Sequence, residues 1–263
     1  MAHTHYKTLW ISDLHLGHRD CKAEHLLHFL ENISVGTLYL VGDIIDMWEM
    51  TRHFRWPEAH NLVIKKLMLL SDSGTRVIYL PGNHDAPLQR YSGMAFSKID
   101  IARELIHTTA DGKRYLVLHG DQFDDEVTLG RFHAWIGDKA YDVLLFINRW
   151  YNRYRFWQKR EYWSLAGFIK QHIKSANLAI ARYREACCNY AKALEVDGII
   201  CGHIHHPEQC YLGGIHYVND GDWVENCTAL AEDKYGNLSL IHYLSGCPLQ
   251  CATESEPHSS KAA

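Results

Sequence analysis

Apolar residues in this chain fall into short unbroken runs, and most of the runs stop at a polar cluster. Residues 7–12 (Lys-Thr-Leu-Trp-Ile-Ser) read as a buried strand that ends at Asp13-Leu14-His15. Leu26, Leu27, Leu30 and Ile33 recur at helical spacing and predict a helix over 20–32. Residues 37–41 make a second strand, which runs into Gly42-Asp43. A helix is predicted over 58–72, with Pro57 well placed at its start. Residues 75–80 make a third strand before Pro81-Gly82-Asn83-His84-Asp85, and 114–118 a fourth before His119-Gly120-Asp121. Alternating strands and helices predict an α/β fold. The polar clusters follow the strand C-termini, the edge where α/β sheets gather ligands.

The alternation stops at 126–195, which reads as helices. It resumes with a short strand over 196–201, ending at Cys201-Gly202-His203-Ile204-His205. Residues 215–219, 224–231 and 237–244 alternate like an antiparallel meander, with turns marked by Gly213-Gly214 and Gly236-Asn237. The organisation predicted is one domain over 1–251 with a helical insertion at 126–195, and a flexible tail at 252–263.

Composition narrows the function classes. The chain has 263 residues, 47% of them hydrophobic, enough for a full core and too apolar for a disordered chain. A net charge of -4 argues against a dedicated nucleic-acid binder. No run of about 18 uncharged apolar residues is present to span a bilayer. The opening Met1-Ala2-His3-Thr4-His5-Tyr6-Lys7 lacks the apolar core of a secretory signal. Eight cysteines without paired Cys-x-x-Cys spacing read as free thiols. Together these predict a cytoplasmic protein, with peripheral contact at the inner membrane left open.

The 19 histidines change the picture, because several lie beside Asp and Gly at strand ends. Asp13 and His15 are two apart on an extended segment and can face one way. His203 and His205 repeat that spacing. Asp43 offers two carboxylate oxygens that can bridge two cations, Asn83 a neutral oxygen, and His119 another nitrogen. This mixed N/O set suits two divalent ions of the Mn, Fe, Zn or Co type better than two Mg ions, with Mn(II) expected first. Two such ions about 3.5–4 Å apart can clamp a phosphoryl group. Asp46 and Asp121 are candidates to orient ligand histidines, or simply to cap turns.

Five blocks carry a resemblance: Asp13-Leu14-His15, Gly42-Asp43-Ile44-Ile45-Asp46, Gly82-Asn83-His84-Asp85, His119-Gly120-Asp121 and Gly202-His203-Ile204-His205. In this order the chain resembles the calcineurin-like metallophosphoesterases. The resemblance implies a four-layer α/β/β/α sandwich with a di-metal centre. It implies one ion on Asp13, His15, Asp43 and His205, and the other on Asp43, Asn83, His119 and His203. His84 would be the catalytic histidine that protonates the leaving oxygen, and Asp85 the residue that orients it.

The opening Thr8-Leu9-Trp10-Ile11-Ser12-Asp13-Leu14-His15-Leu16-Gly17 and the block Leu118-His119-Gly120-Asp121-Gln122-Phe123-Asp124-Asp125 look like the UDP-2,3-diacylglucosamine pyrophosphohydrolase branch. That branch serves lipid A synthesis, releasing UMP from a nucleotide-linked acylated sugar, and carries a helical lid after the His-Gly-Asp block. It usually has Arg where this chain has His84, so the third block follows the wider family. A general phosphodiesterase or phosphomonoesterase acting on a small or nucleotide substrate is the alternative, and a non-catalytic metal-binding scaffold is a third reading. Nucleic acid is not the expected partner.

The insertion interleaves aromatics and cations over Trp150-Tyr151-Asn152-Arg153-Tyr154-Arg155-Phe156-Trp157-Gln158-Lys159-Arg160. Trp150, Arg153, Trp157 and Arg160 are candidate substrate contacts on a lid, or else the outer face of a packed helical pair. Trp48, His53 and Trp56 follow the second block and read as a small local hydrophobic cluster in preference to a pocket wall.

Overall fold

The computed structural model describes residues 4–124, 150–155, 157–158 and 174–243. Along these residues run β1 (Thr4–Ile11), α1 (Ala23–Glu31), β2 (Ile33–Val41), α2 (Met47–Arg52), α3 (Glu58–Asp72) and β3 (Arg76–Leu80). Next come β4 (Ala95–Phe96), β5 (Ile99–Ile101), β6 (Glu104–Thr108), β7 (Arg114–Leu118) and α4 (Lys174–Ala193). The last strands are β8 (Gly198–Cys201), β9 (Glu208–Leu212), β10 (Ile215–Asn219), β11 (Thr228–Glu232) and β12 (Leu238–His242).

The strands form two sheets. The first has the order β12-β11-β1-β2-β3-β5-β4, and the second β6-β7-β8-β10-β9. Strands β1, β2, β3 and β5 run parallel, as do β7, β8 and β10, with antiparallel strands at the edges.

The unbroken apolar runs follow from burial on both faces of each sheet. In β1, Leu9 and Ile11 join the core beneath α1 and α3, while Trp10 points into the core between the sheets. Leu38 and Leu40 alternate with Tyr39 and Val41 in the same way. In the second sheet, Leu116 and Leu118 face Tyr183, Cys187 and Ala191 of α4, while Tyr115 and Val117 face the first sheet. The layers are therefore helix, sheet, sheet, helix, as the resemblance implied. Residues 174–193, read from the sequence as the end of the helical insertion, form the outer layer of the second sheet.

The two sheets are tied by more than apolar packing. Trp10 stacks on Tyr39 with centroids 5.5 Å apart. On β11, Glu232 accepts hydrogen bonds from Thr8 Oγ1 at 2.6 Å, Lys7 Nζ at 3.0 Å and the Ala110 amide at 2.7 Å. Its Oε2 also lies 3.0 Å from Nε2 of His107 on β6 of the other sheet.

Some boundaries differ from the sequence reading. Ile33 opens β2 and does not close the first helix, because α1 ends at Glu31 and Asn32 caps it. The strand expected over 224–231 starts at Thr228, because Asp222 organises 223–226 as a turn, accepting from the amides of Val224 and Asn226 at 2.8 and 3.3 Å. The short elements α2, β4, β5, β6 and β9 were not foreseen. Among the described residues no helix is long and apolar enough to cross a membrane.

Candidate metal centre

Strands β1, β2 and β3 of the first sheet and β7 and β8 of the second end at one rim, and the polar blocks turn there. The turn geometry is written in the backbone. Asp13, His15, Asp43, His203 and His205 all have positive φ, between 49 and 70°. Such conformations cost about 1–3 kcal/mol each and persist only where surrounding contacts enforce them. Here the contacts are Asp13 N to Gly42 O at 3.0 Å, His15 N to Asp43 O at 2.9 Å and His203 N to Asp13 Oδ2 at 2.9 Å. The glycines preceding the ligands leave room for them. A Cβ on Gly82 would overlap Asp43 Oδ1 and His119 Nε2, and one on Gly202 would overlap Asp13 Oδ2.

Two His/Asp clusters result, and a third group, His15, Asp46 and His84, adjoins the first. In the first, His205 Nε2 lies 3.1 Å from Asp13 Oδ1 and 3.3 Å from His15 Nε2. In the second, His119 Nε2 lies 3.4 Å from Asp43 Oδ2 and 3.2 Å from Asn83 Oδ1, and His203 completes the group. Asp43 Oδ2 stands between the clusters, 3.8 Å from His15 Nε2. Two donors on one tetrahedral ion with bonds of about 2.0–2.1 Å lie about 3.3–3.4 Å apart, so these spacings are ligand spacings.

Hydrogen bonds on the far nitrogens set the tautomers. His119 Nδ1 faces the Val41 carbonyl at 2.9 Å and His15 Nδ1 faces Asp46 Oδ2 at 3.0 Å. Both acceptors require N–H on Nδ1, which leaves Nε2 as the lone-pair donor toward the cluster. On His203, Nε2 gives its proton to Asp124 Oδ1 at 2.7 Å and Nδ1 is left for a cation. Asp13 Oδ1 is buried and accepts no hydrogen bond among the described residues. A buried carboxylate oxygen of this kind is costly unless it meets a cation. The donor set thus fits two divalent ions, and these residues can coordinate a di-metal centre.

The electrostatics agree. Burial alone would raise the Asp13 carboxyl, but His205, His15 and His119 hold it well below the usual carboxylate range. Burial likewise opposes ionisation of Asp43, and His119 and His15 more than reverse the effect. Burial would lower His15, yet Asp13, Asp46 and Asp43 raise it to about 10. His119 is raised well above its ordinary value by Asp43 and Asp13, again against burial. Without metal the histidines act as the counter-cations of the aspartates.

His84 sits against this centre, with its ring 4.6 Å from that of His15 and its Nε2 4.0 Å from Asp43 Oδ2. The expectation that Asp85 orients it needs correction. Asp85 is fully buried and turned inward, accepting from Gly82 N at 2.6 Å, Ile44 N at 2.8 Å and the Tyr79 hydroxyl. It locks the second and third blocks together. The carboxylate on His84 belongs to Asp46, whose Oδ1 lies 3.0 Å from Nδ1. Asp46 also caps α2 by accepting from Glu49 N at 2.8 Å, so orienting and capping are one residue's work. Asp121 opens a 3-10 turn, Asp121–Phe123, and its charge contributes to raising His119.

Trp48, Trp56 and His53 do not form one cluster. Trp48 lies on α2, 46% exposed, with its ring 5.2 Å from that of His84. Trp56 packs at the edge of the core against His60, and His53 is exposed. In the predicted insertion, Trp150, Arg153 and Trp157 are solvent-exposed, and Arg160 lies outside the described residues. The sequence reading missed Asp124 and the loop at 219–228. Its signal was the run Asn219-Asp220-Gly221-Asp222, polar residues following a buried strand at the same rim.

The family model described as Calcineurin-like phosphoesterase matches residues 6–207. A UDP-2,3-diacylglucosamine hydrolase of Stenotrophomonas maltophilia is 29% identical over 242 residues, covering 87% of this chain and 96% of its own. The protein of that name from Neisseria gonorrhoeae is 25% identical over 230 residues, covering 81% and 88%. Among solved structures, the Escherichia coli phosphoesterase Yfce aligns with 90% of this chain and 92% of its own, at 16% identity and a TM-score of 0.45.

Proposed function

The chain belongs to the calcineurin-like phosphoesterase family, a family of metal-dependent hydrolases, and from that membership we propose that it cleaves a pyrophosphate or phosphodiester bond, with UDP-2,3-diacylglucosamine, split to UMP and the lipid 1-phosphate, as its substrate. The observation that carries the reaction class is the pair of His/Asp clusters, Asp13 with His15 and His205 and Asp43 with His119 and His203, with Asp43 Oδ2 3.8 Å from His15 Nε2 and His84 beside them. The substrate rests on the names of relatives 25 and 29% identical over most of both chains.

In this reading Asp13, His15, Asp43 and His205 hold one cation, and Asp43, Asn83, His119 and His203 the other. Bound there, two divalent ions, Mn(II) first among them, supply Lewis-acid stabilisation of the phosphoryl oxygens and lower the pKa of a water. The chain's own residues do the rest. Asp46 fixes the His84 ring through Nδ1, which turns Nε2 toward the centre as the donor to the departing oxygen. Trp48 is exposed on the same side, its ring 5.2 Å from that of His84, and Arg52 Cζ lies 4.7 Å over the indole. This gives a nucleotide-linked or acylated substrate a flat apolar contact next to a cation. Trp150, Arg153, Trp157 and Arg160 are proposed as further contacts on a lid over the acyl chains, with the protein working in the cytoplasm at the inner-membrane surface.

His84 favours a second reading, a phosphoesterase of broader substrate range, because it follows the pattern of the wider family in the third block. The test is hydrolysis with Mn²⁺ of UDP-2,3-diacylglucosamine beside UDP-glucose, cyclic nucleotides and bis-p-nitrophenyl phosphate. Selective UMP release from the acylated substrate supports the first reading. Turnover of the small esters alone supports the second, and no turnover with Mn, Fe, Co, Ni or Zn on any of them ends both.

A further inference from the structure

The segment between β10 and β11 lies outside the five signature blocks, yet it holds the first ligand cluster from behind. Asn219 Nδ2 donates to Gly202 O at 2.6 Å, and Asp220 N donates to Cys201 O at 3.0 Å. Ser12 Oγ donates to Asp220 Oδ1 at 2.7 Å, and Trp223 N donates to the carbonyl of Asp13 at 3.1 Å. Trp223 is fully buried, with its ring 5.4 Å from that of Phe29 in α1. Asn226 Nδ2 donates to the carbonyl of His205 at 3.3 Å and also to Asp222 Oδ2. The same Asp222 carboxylate accepts from the amides that close the turn, so the Asn226 amide is itself fixed.

Asp13 and His205 are two of the three residues of one cluster, and both hold a left-handed backbone. Their carbonyls are among the groups this loop grips, that of Asp13 through the Trp223 amide and that of His205 through Asn226. We infer that the 219–228 loop is the positioning element for the cation site of Asp13, His15 and His205, with Asn226 acting through the His205 backbone, while the site of Asp43, His119 and His203 does not depend on Asn226. Asn226 orders the geometry of a ligand and does not touch substrate. The inference rests on the reading that the centre holds two divalent ions.

Cobalt titration of the chelator-treated protein, followed by calorimetry and the visible Co(II) spectrum, tests it without any turnover. Wild type should take up two equivalents. Asn226→Ala should keep one at wild-type affinity and bind the other about 10–100-fold more weakly, the size typical of losing a residue that orients a ligand. The weakened equivalent should be the one that His205→Ala abolishes. Asn226→Ser is a second variant lacking the amide and should give the same result. Val63→Ala, a cavity in the core beneath α3, should lower the melting temperature of the metal-free protein yet bind both equivalents as wild type does. Wild-type affinity for both equivalents in the Asn226 variants, or equal weakening of both, would overturn the inference. If wild-type protein took up no cobalt, the two-cation reading would fall, and this inference with it.

Discussion

The Asp46 carboxylate holds His84 through Nδ1 at 3.0 Å with one oxygen, and with the other it meets Nδ1 of His15 at the same distance. One side chain therefore sets the orientation both of a metal-site histidine and of the histidine proposed to protonate the leaving group. Burial opposes its ionisation, and those two histidines more than offset this, holding its carboxyl well below the usual range.

His84→Ala should keep both metal equivalents and slow turnover by about 10²–10⁴-fold, the range for losing a general acid. Asp46→Asn should cost about 10–100-fold and weaken metal binding as well, because His15 shares the carboxylate. Steady-state kinetics beside metal analysis of the same samples check both. Wild-type turnover in His84→Ala would reject its role as the acid.

Asp43→Ala should lose both equivalents, because Asp43 Oδ2 stands within 3.8 Å of His15 Nε2 and 3.4 Å of His119 Nε2. The loss should be cooperative, with no state of one tight and one absent ion. Inductively coupled plasma analysis after gel filtration reads the stoichiometry, and retention of one full equivalent would show that the oxygen does not bridge.

Metal uptake should release protons and tighten as pH rises. In the metal-free protein His15 is raised to about 10, so near neutrality it carries a proton that a cation must displace. Titrations in buffers of different ionisation enthalpy count the protons released. The metal-free protein should show the opposite trend. A histidine whose folded pKa lies above its unfolded value of 6.5 stabilises the fold fully below that pH and loses the contribution as pH climbs toward about 10. Metal-free melting temperature should therefore fall over this window.

Acid should attack the joint between the sheets. Burial would raise Glu232, but hydrogen bonds from His107, Thr8, Lys7 and the Ala110 amide lower it from 4.5 to about 2. Its contribution is complete above the unfolded value and is lost as pH falls through that interval. Glu232→Gln should cost about 1.5–3 kcal/mol at neutral pH, the worth of a hydrogen bond to a charged group. It should also flatten the acid limb of a urea-denaturation series, and an unchanged limb would refute the assignment.

The parts legible in the sequence were those carried by a local pattern. Two-sided burial makes an apolar run, so β1, β2, β3, β7 and β8 stood out, and each ended at a polar block. Edge strands such as β9, with Gln209 and Tyr211 exposed, and the six-residue α2 carry no such run. The partner of His84 was misassigned because adjacency in sequence favours Asp85. Only the fold shows that Asp85 turns inward toward Tyr79 while Asp46, 38 positions away, reaches across. The 219–228 loop escaped because its polar run reads as an ordinary turn, and the carbonyls that Asn219 and Asn226 hold leave no trace in residue type.

Each ligand cluster draws on both sheets: Asp13 and His15 follow β1 while His205 follows β8, and Asp43 follows β2 while His119 and His203 follow β7 and β8. A cation at either place is thus a rivet through the two halves of the sandwich. The Glu232 junction pins the same halves from the β6 side. With ions in place, the sheets cannot slide without breaking coordination. Their separation in turn sets how far apart the ligands of each cluster stand.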